Sequence, residues 1–115
     1  MGSNAYNYES VKHLSELFKL LAEPSRLRIL YGLGLECRPV SAVVAATGLS
    51  QTNVSFHLRA LREAGLVRPE RRGPFIYYCL PDPELLNLLD AIQSWHQRQV
   101  QPEQRSSTQK KKVCQ

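Results

Sequence analysis

Residues 48–66 read GLSQTNVSFHLRALREAGL, and how this stretch folds decides the rest. Ser50 is an N-cap residue, with a hydroxyl to offer an orphan backbone N–H, and Gly65 is a C-terminal stop, so the spacing predicts a helix over 51–64. Advancing about 100° per residue from Val54 brings Leu58 and Leu61 back within about 40°, one narrow apolar stripe. The opposite arc carries Thr52, Ser55, Phe56, Arg59 and Glu63, with Gln51 and Arg62 on a flank. A solvated helix has no use for an aromatic ring in the middle of its polar face. A helix that enters a groove does.

The flanking sequence supplies the setting. Upstream, PVSAVVAATG (39–48) reads as a short helix with Pro39 in its first turn and Gly48 at its end. A short helix, the turn TGLS and then a helix with polar outer residues is the order of a helix-turn-helix. Further back, Val11, Leu14, Leu17, Phe18 and Leu21 keep the spacing of an amphipathic helix that Pro24 brings to an end. PSRLRILYGL (24–33) is a second helix, its apolar stripe read as Leu27, Leu30 and Tyr31. Downstream, LVRPE and FIYYCL are two strands separated by RRGP, with Gly73 at the tip and Pro69 marking an edge. A last helix follows, with Leu85, Leu88, Leu89, Ile92 and Trp95 on one stripe. The expected fold is mainly α with a small β-hairpin, a winged helix-turn-helix of four helices, a hairpin and a fifth helix.

Chemistry then assigns the outer face of residues 51–62 to DNA. Gln51, Thr52 and Ser55 offer donors and acceptors to base edges or phosphates. Arg59, with Arg62 beside it, is placed for phosphate or guanine, and Phe56 for a thymine methyl. Arg68, Arg71 and Arg72 surround the hairpin, where a wing reaches phosphates or a neighbouring minor groove. The competing reading is a winged-helix protein–protein interaction module without DNA binding, in which Phe56 and the basic wing meet a polypeptide. Steep salt dependence separates the two.

LFKLLAEPSRLRIL (17–30), ATGLSQTNVSFHLRALREAGLV (46–67) and GPFIYYCL (73–80) resemble the ArsR/SmtB family of small bacterial winged-helix repressors, over residues 10 to 95. The resemblance implies a homodimer through the first and last helices, repression of a double-stranded DNA operator, and release when a metal ion or thiol-reactive effector binds. It carries Ser50, Gln51, Thr52, Ser55 and His57 over as DNA-region residues; Phe56 stands where relatives often have a basic or polar residue. Independently, Val11, Leu14 and Phe18 on the first helix, with Leu85, Leu88, Leu89, Ile92 and Trp95 on the last, are more apolar surface than a domain of this size covers by itself, which also points to a homodimer.

The effector residues that the resemblance implies are largely missing. Pro39 and Ser41 occupy the positions of the cysteine pair found in many relatives, so that soft-metal site is absent. The last-helix site would fall on Asp82 and Glu84, then Trp95 and Arg98, with His96 displaced by one. Asp82, Glu84 and His96 are therefore weak metal candidates, and an acidic helix start plus an interface histidine is the simpler account. Tyr31 stands at the second-helix position of a sensing cysteine, and the last helix has none. A redox pair of Cys37 with Cys114 is left as a candidate switch, Cys79 being read as a small core residue. No cofactor is assigned; a metal ion is conceivable but has no supporting ligand set.

Composition bounds the remainder. The chain has 115 residues, a net charge of +5 and 43% hydrophobic content, which suits one small globular domain. Residues 1–100 hold 11 Lys/Arg against 9 Asp/Glu, whereas residues 101–115 hold 4 against 1. We therefore expect a flexible N-terminus over 1–9, a DNA-binding and dimerisation domain over 10–100 and a disordered basic tail over 101–115. No stretch is long and apolar enough to span a bilayer and no leader is evident, so the expected location is cytoplasmic, without a membrane partner. Glycine-rich phosphate loops, HExxH and a nucleophile–base arrangement are all missing, which argues against an enzyme.

Overall fold

The computed structural model describes residues 7–100; residues 1–6 and 101–115, including the expected basic tail and Cys114, lie outside the described residues. The elements run α1 (Tyr8–Leu21), α2 (Pro24–Leu33), β1 (Arg38–Pro39), α3 (Val40–Thr47), α4 (Gln51–Glu63), β2 (Arg68–Arg72), β3 (Phe75–Cys79) and α5 (Glu84–Val100). The chain divides into two units between Pro81 and Asp82, where the sequence suggests one domain over 10–100. The first unit carries α1 to β3 and the second carries α5.

Each helix of the first unit starts and stops for a local reason. Asn7 caps α1, its Oδ1 accepting from the Ser10 N–H at 2.8 Å, so the helix begins inside the segment 1–9 expected to be flexible. Pro24 opens α2, where its missing N–H costs nothing. Gly48 closes α3 with φ 76°, a left-handed conformation that only glycine adopts cheaply, and its N–H returns to the Val44 carbonyl at 2.8 Å. That residue makes the sharp turn between α3 and α4. Pro39 precedes α3 as its N-cap rather than lying in its first turn.

The core is formed by Leu21 of α1, Ile29, Leu30 and Leu33 of α2, Val43 of α3, Val54, Leu58 and Leu61 of α4, Cys79 of β3, and Val67 and Leu80 beside the strands. The stripe expected on α2 is rotated. Ile29, Leu30 and Leu33 are buried, Leu27 is half-buried and Tyr31 is exposed, because a ten-residue helix with apolar residues in several directions fits more than one stripe. Burial of an aliphatic side chain contributes roughly 1.5–3 kcal/mol, so the three α4 anchors alone fix that helix firmly. Two arginines of α2 add directional ties. Arg26 donates to the Leu20 carbonyl at 3.3 Å and to His57 Nδ1 at 3.2 Å, and Arg28 donates to the Thr47 carbonyl at the end of α3.

The sheet departs from the expected hairpin in two ways. It has three antiparallel strands in the order β1-β3-β2, the third being the two-residue β1. The register pairs Arg38 with Tyr78 and Pro39 with Tyr77, and on the other side Arg68 with Cys79, Glu70 with Tyr77 and Arg72 with Phe75. Arg71 and Arg72 thus lie within β2, leaving only Gly73 (φ 63°) and Pro74 as the loop. Pro69 sits on an edge strand, as expected. A disulfide joins Cys37 and Cys79, with 4.3 Å between their Cα atoms.

In the second unit, α5 starts where Asp82 Oδ1 accepts from the Glu84 N–H at 2.9 Å. None of its residues is buried; Leu88, Ile92 and Trp95 are exposed, and Leu85 and Leu89 are half-buried. No described helix is long and apolar enough to cross a membrane.

Candidate nucleic-acid interface

The site begins at Ser50, whose Oγ accepts from the Asn53 N–H at 3.1 Å and thereby fixes the first turn of α4. From that start the helix divides cleanly. Val54, Leu58 and Leu61 have no exposed surface, while Gln51, Thr52, Ser55, Phe56, Arg59 and Arg62 are all exposed. Phe56 keeps 64% of its surface in solvent, which a side chain serving the core would not do. Two hydroxyl side chains, an aromatic ring and the Arg59 guanidinium therefore share the outer arc, with Gln51 and Arg62 exposed on its flank, on a helix held by its opposite face and by α2.

The expected DNA-region residues are not equivalent. Arg59 Nε lies 3.4 Å from Glu63 Oε2, an exposed i,i+4 pair that is weak and leaves the guanidinium available to a phosphate or a base. His57 is half-buried and accepts from Arg26, and its ring meets Phe56 edge-on at 5.1 Å. It braces α4 and Phe56 from the side rather than standing on the outer strip. Arg62 makes no side-chain hydrogen bond or ion pair among the described residues, nor do Arg68 and Arg71.

On the wing, strand alternation separates the three arginines. Arg68 and Arg72 share a face with Glu70, and Arg71 is on the other. Arg72 is engaged: its guanidinium lies 4.5 Å from the Tyr77 ring centroid and 3.4 Å from Glu70 Oε1. Arg68 and Arg71, on opposite faces of β2, are the wing cations without a side-chain hydrogen bond or ion pair among the described residues. Phe75 and Ile76 are both exposed near the tip, on opposite faces of β3, which sequence reasoning misses although their places in the hairpin are readable.

The remaining candidate groups are placed as follows. Val11, Leu14 and Phe18 line one exposed apolar groove on α1 together with Ser15, Lys19 and Ala22. Glu84 accepts from Asn87 Nδ2 at 3.1 Å and Asp82 caps α5, so both weak metal candidates have local structural work; His96 is exposed on the same helix. Cys37 is bonded to Cys79 instead of the Cys114 partner suggested by the sequence, and Cys79 is a bonded core residue rather than a merely space-filling one. The missed element is β1: two residues are too few to show strand periodicity, so nothing in the sequence announces that Cys37 lies opposite Cys79.

Helix-turn-helix, exposed second helix and basic hairpin together define a winged helix-turn-helix protein of the DNA-binding class. A family described as a helix-turn-helix domain matches residues 21–70. The chain is 38% identical over 80 residues to a transcriptional repressor SmtB homolog of Synechocystis, covering 70% of this chain and 61% of that protein. It is 39% identical over 82 residues to the transcriptional regulator NmtR of Mycobacterium tuberculosis, covering 71% and 68%. Among solved structures it is similar to the homodimeric winged helix-turn-helix DNA-binding domain of Mb0332 from Mycobacterium bovis, described as a possible ArsR-family regulator, with a TM-score of 0.69, 29% identity, and coverage of 84% and 89%. The chain belongs to the ArsR/SmtB family of winged helix-turn-helix transcriptional regulators. It spans 61% of the length of the Synechocystis relative.

Proposed function

We propose that this protein is a cytoplasmic, dimeric repressor that binds a double-stranded operator through α4 and the wing, and not an enzyme. The observation that carries the reading is the division of α4, with three anchors wholly buried and six polar, aromatic or basic residues exposed on its outer arc and flank. In this reading Gln51, Thr52 and Ser55 address base edges and phosphates, Arg59 a guanine or phosphate, and Phe56 a thymine methyl, while Ser50 and His57 hold the helix and Arg62, Arg68 and Arg71 supply phosphate contacts.

The dimer reading is supported by the row of exposed large apolar side chains on α1 and, separately, by that on α5, since contiguous exposed apolar rows mark interaction sites. The M. bovis domain is itself homodimeric. Two copies about a two-fold axis would present recognition helices to half-sites about 34–36 Å apart. Selection of bound duplexes from a random library, using the full chain, tests the assignment: enrichment of an inverted repeat is expected. Binding that shows no sequence preference and no fall in affinity with rising salt would discard it.

A further inference from the structure

Away from α4, the three strands gather the only group of three His, Cys, Asp or Glu donors among the described residues that is close enough to hold an ion: Cys37, Glu70 and Cys79. Extending the β1–β3 register by one residue from the Arg38–Tyr78 pair sets Cys37 directly opposite Cys79. Glu70 faces Tyr77 across β2 and β3, and Tyr77 shares the face of Cys79 by strand alternation, so all three side chains are on one face. Glu70 Oε1 lies 3.3 Å from Cys37 Sγ and 3.4 Å from Cys79 Sγ, and all three donor atoms are within 4.8 Å of one another. Cys79 is buried while Cys37 and Glu70 are half-buried, which leaves an approach from one side.

We propose that Cys37, Glu70 and Cys79, with the disulfide reduced, form a binding site for a thiophilic divalent cation such as zinc or cadmium. Reduction yields two thiols: a dithiol supplies two electrons and two protons and becomes a disulfide, whereas a phosphine supplies two electrons, water supplies the two protons and the phosphine leaves as its oxide. The cation displaces both thiol protons, bonds to the two thiolates and takes one Glu70 oxygen, giving a complex of net charge −1. Two thiolates and a carboxylate suit a tetrahedral ion with its fourth position left to water. Thiolates bound at about 2.3 Å to one tetrahedral ion stand roughly 3.8 Å apart, a separation that side-chain rotation supplies without moving paired strands. Arg72, 3.4 Å from Glu70, then acts as an outer partner that orients the carboxylate. Disulfide formation consumes both thiolates, so the same cysteines bind the ion only when reduced.

Metal binding by the chain alone is the readout, so the test is independent of the operator reading. The full-length protein, reduced with a phosphine that is then removed anaerobically, is titrated with cadmium while thiolate-to-cadmium charge-transfer absorbance is followed. One ion per chain is expected, with Cys37 and Cys79, but not Cys114, protected from alkylation. The oxidised protein should show no such absorbance until it is reduced. Cys37→Ser should abolish the signal, Cys114→Ser should leave it intact, and Glu70→Gln should weaken binding at least about tenfold. The alkylation map uses the unmutated chain, so the role of the buried Cys79 is read without a variant that could fail to fold. Binding that survives Cys37→Ser, protection that falls on Cys114, or a reduced wild-type chain that takes up no cadmium overturns the proposal.

Discussion

Helix α4 and the three-stranded sheet are neighbours in the chain, yet they are held in different ways. In α4 the pattern that sets its faces is local, with a cap at Ser50, anchors three and four residues apart and an outer strip of the same periodicity, although its anchors pack on other helices and Arg26 of α2 ties His57. In the sheet, β2 and β3 pair as a local hairpin, but the pairing of β1 with β3 joins residues about forty positions apart, and the Cys37–Cys79 bond spans 42. A surface that reads DNA gains from the first arrangement, since few contacts have to agree for the strip to point outward. A site assembled across strands gains from the second, because several strands must be paired before its donors meet.

Mutations sharpen that contrast, the largest effect coming first. Leu58→Ala removes a wholly buried anchor of α4 and should lower unfolding free energy by about 2–5 kcal/mol in denaturant titration. A loss below about 1 kcal/mol would mean that the helix is held mainly from elsewhere. Reducing the Cys37–Cys79 bond should cost about 2–4 kcal/mol in the same assay. An unchanged midpoint would show that the strands carry the sheet without it. Arg59→Ala should weaken binding to a selected operator by about 1–3 kcal/mol while leaving stability nearly unchanged, measured by fluorescence anisotropy. Ser50→Ala removes the cap and should cost about 1 kcal/mol of stability. Arg71→Ala should weaken all duplexes alike and lower the magnitude of the salt slope by about 1, whereas a sequence-selective loss would move Arg71 from phosphate to base contact.

The same contrast explains what can be read from the chain. The bounds of α4, its capping serine, the burial of Val54, Leu58 and Leu61 and the exposure of Thr52, Ser55, Phe56 and Arg59 follow from spacing within one turn or two. The hairpin is legible from the apolar run of β3 and the Gly73 turn, but that turn reads too wide, because Arg71 and Arg72 look like loop residues although edge-strand pairing accommodates them. Strand β1 is illegible, since two residues carry no period and only its partner makes it a strand. The cysteine pairing is lost with it. Tyr31 reads as a core residue because the apolar residues of α2 satisfy two overlapping stripes, and only packing against α3 and α4 selects Ile29, Leu30 and Leu33. His57 looks like one more polar residue of the recognition helix until Arg26, from another helix, gives it a partner.

The most direct measurement is an amide chemical-shift titration of the full-length protein with its selected duplex at moderate salt. If α4 reads the operator, the largest changes fall at Gln51, Thr52, Ser55, Phe56 and Arg59, with smaller ones at Arg68 and Arg71. Saturation with DNA that leaves those five amides unperturbed would contradict it.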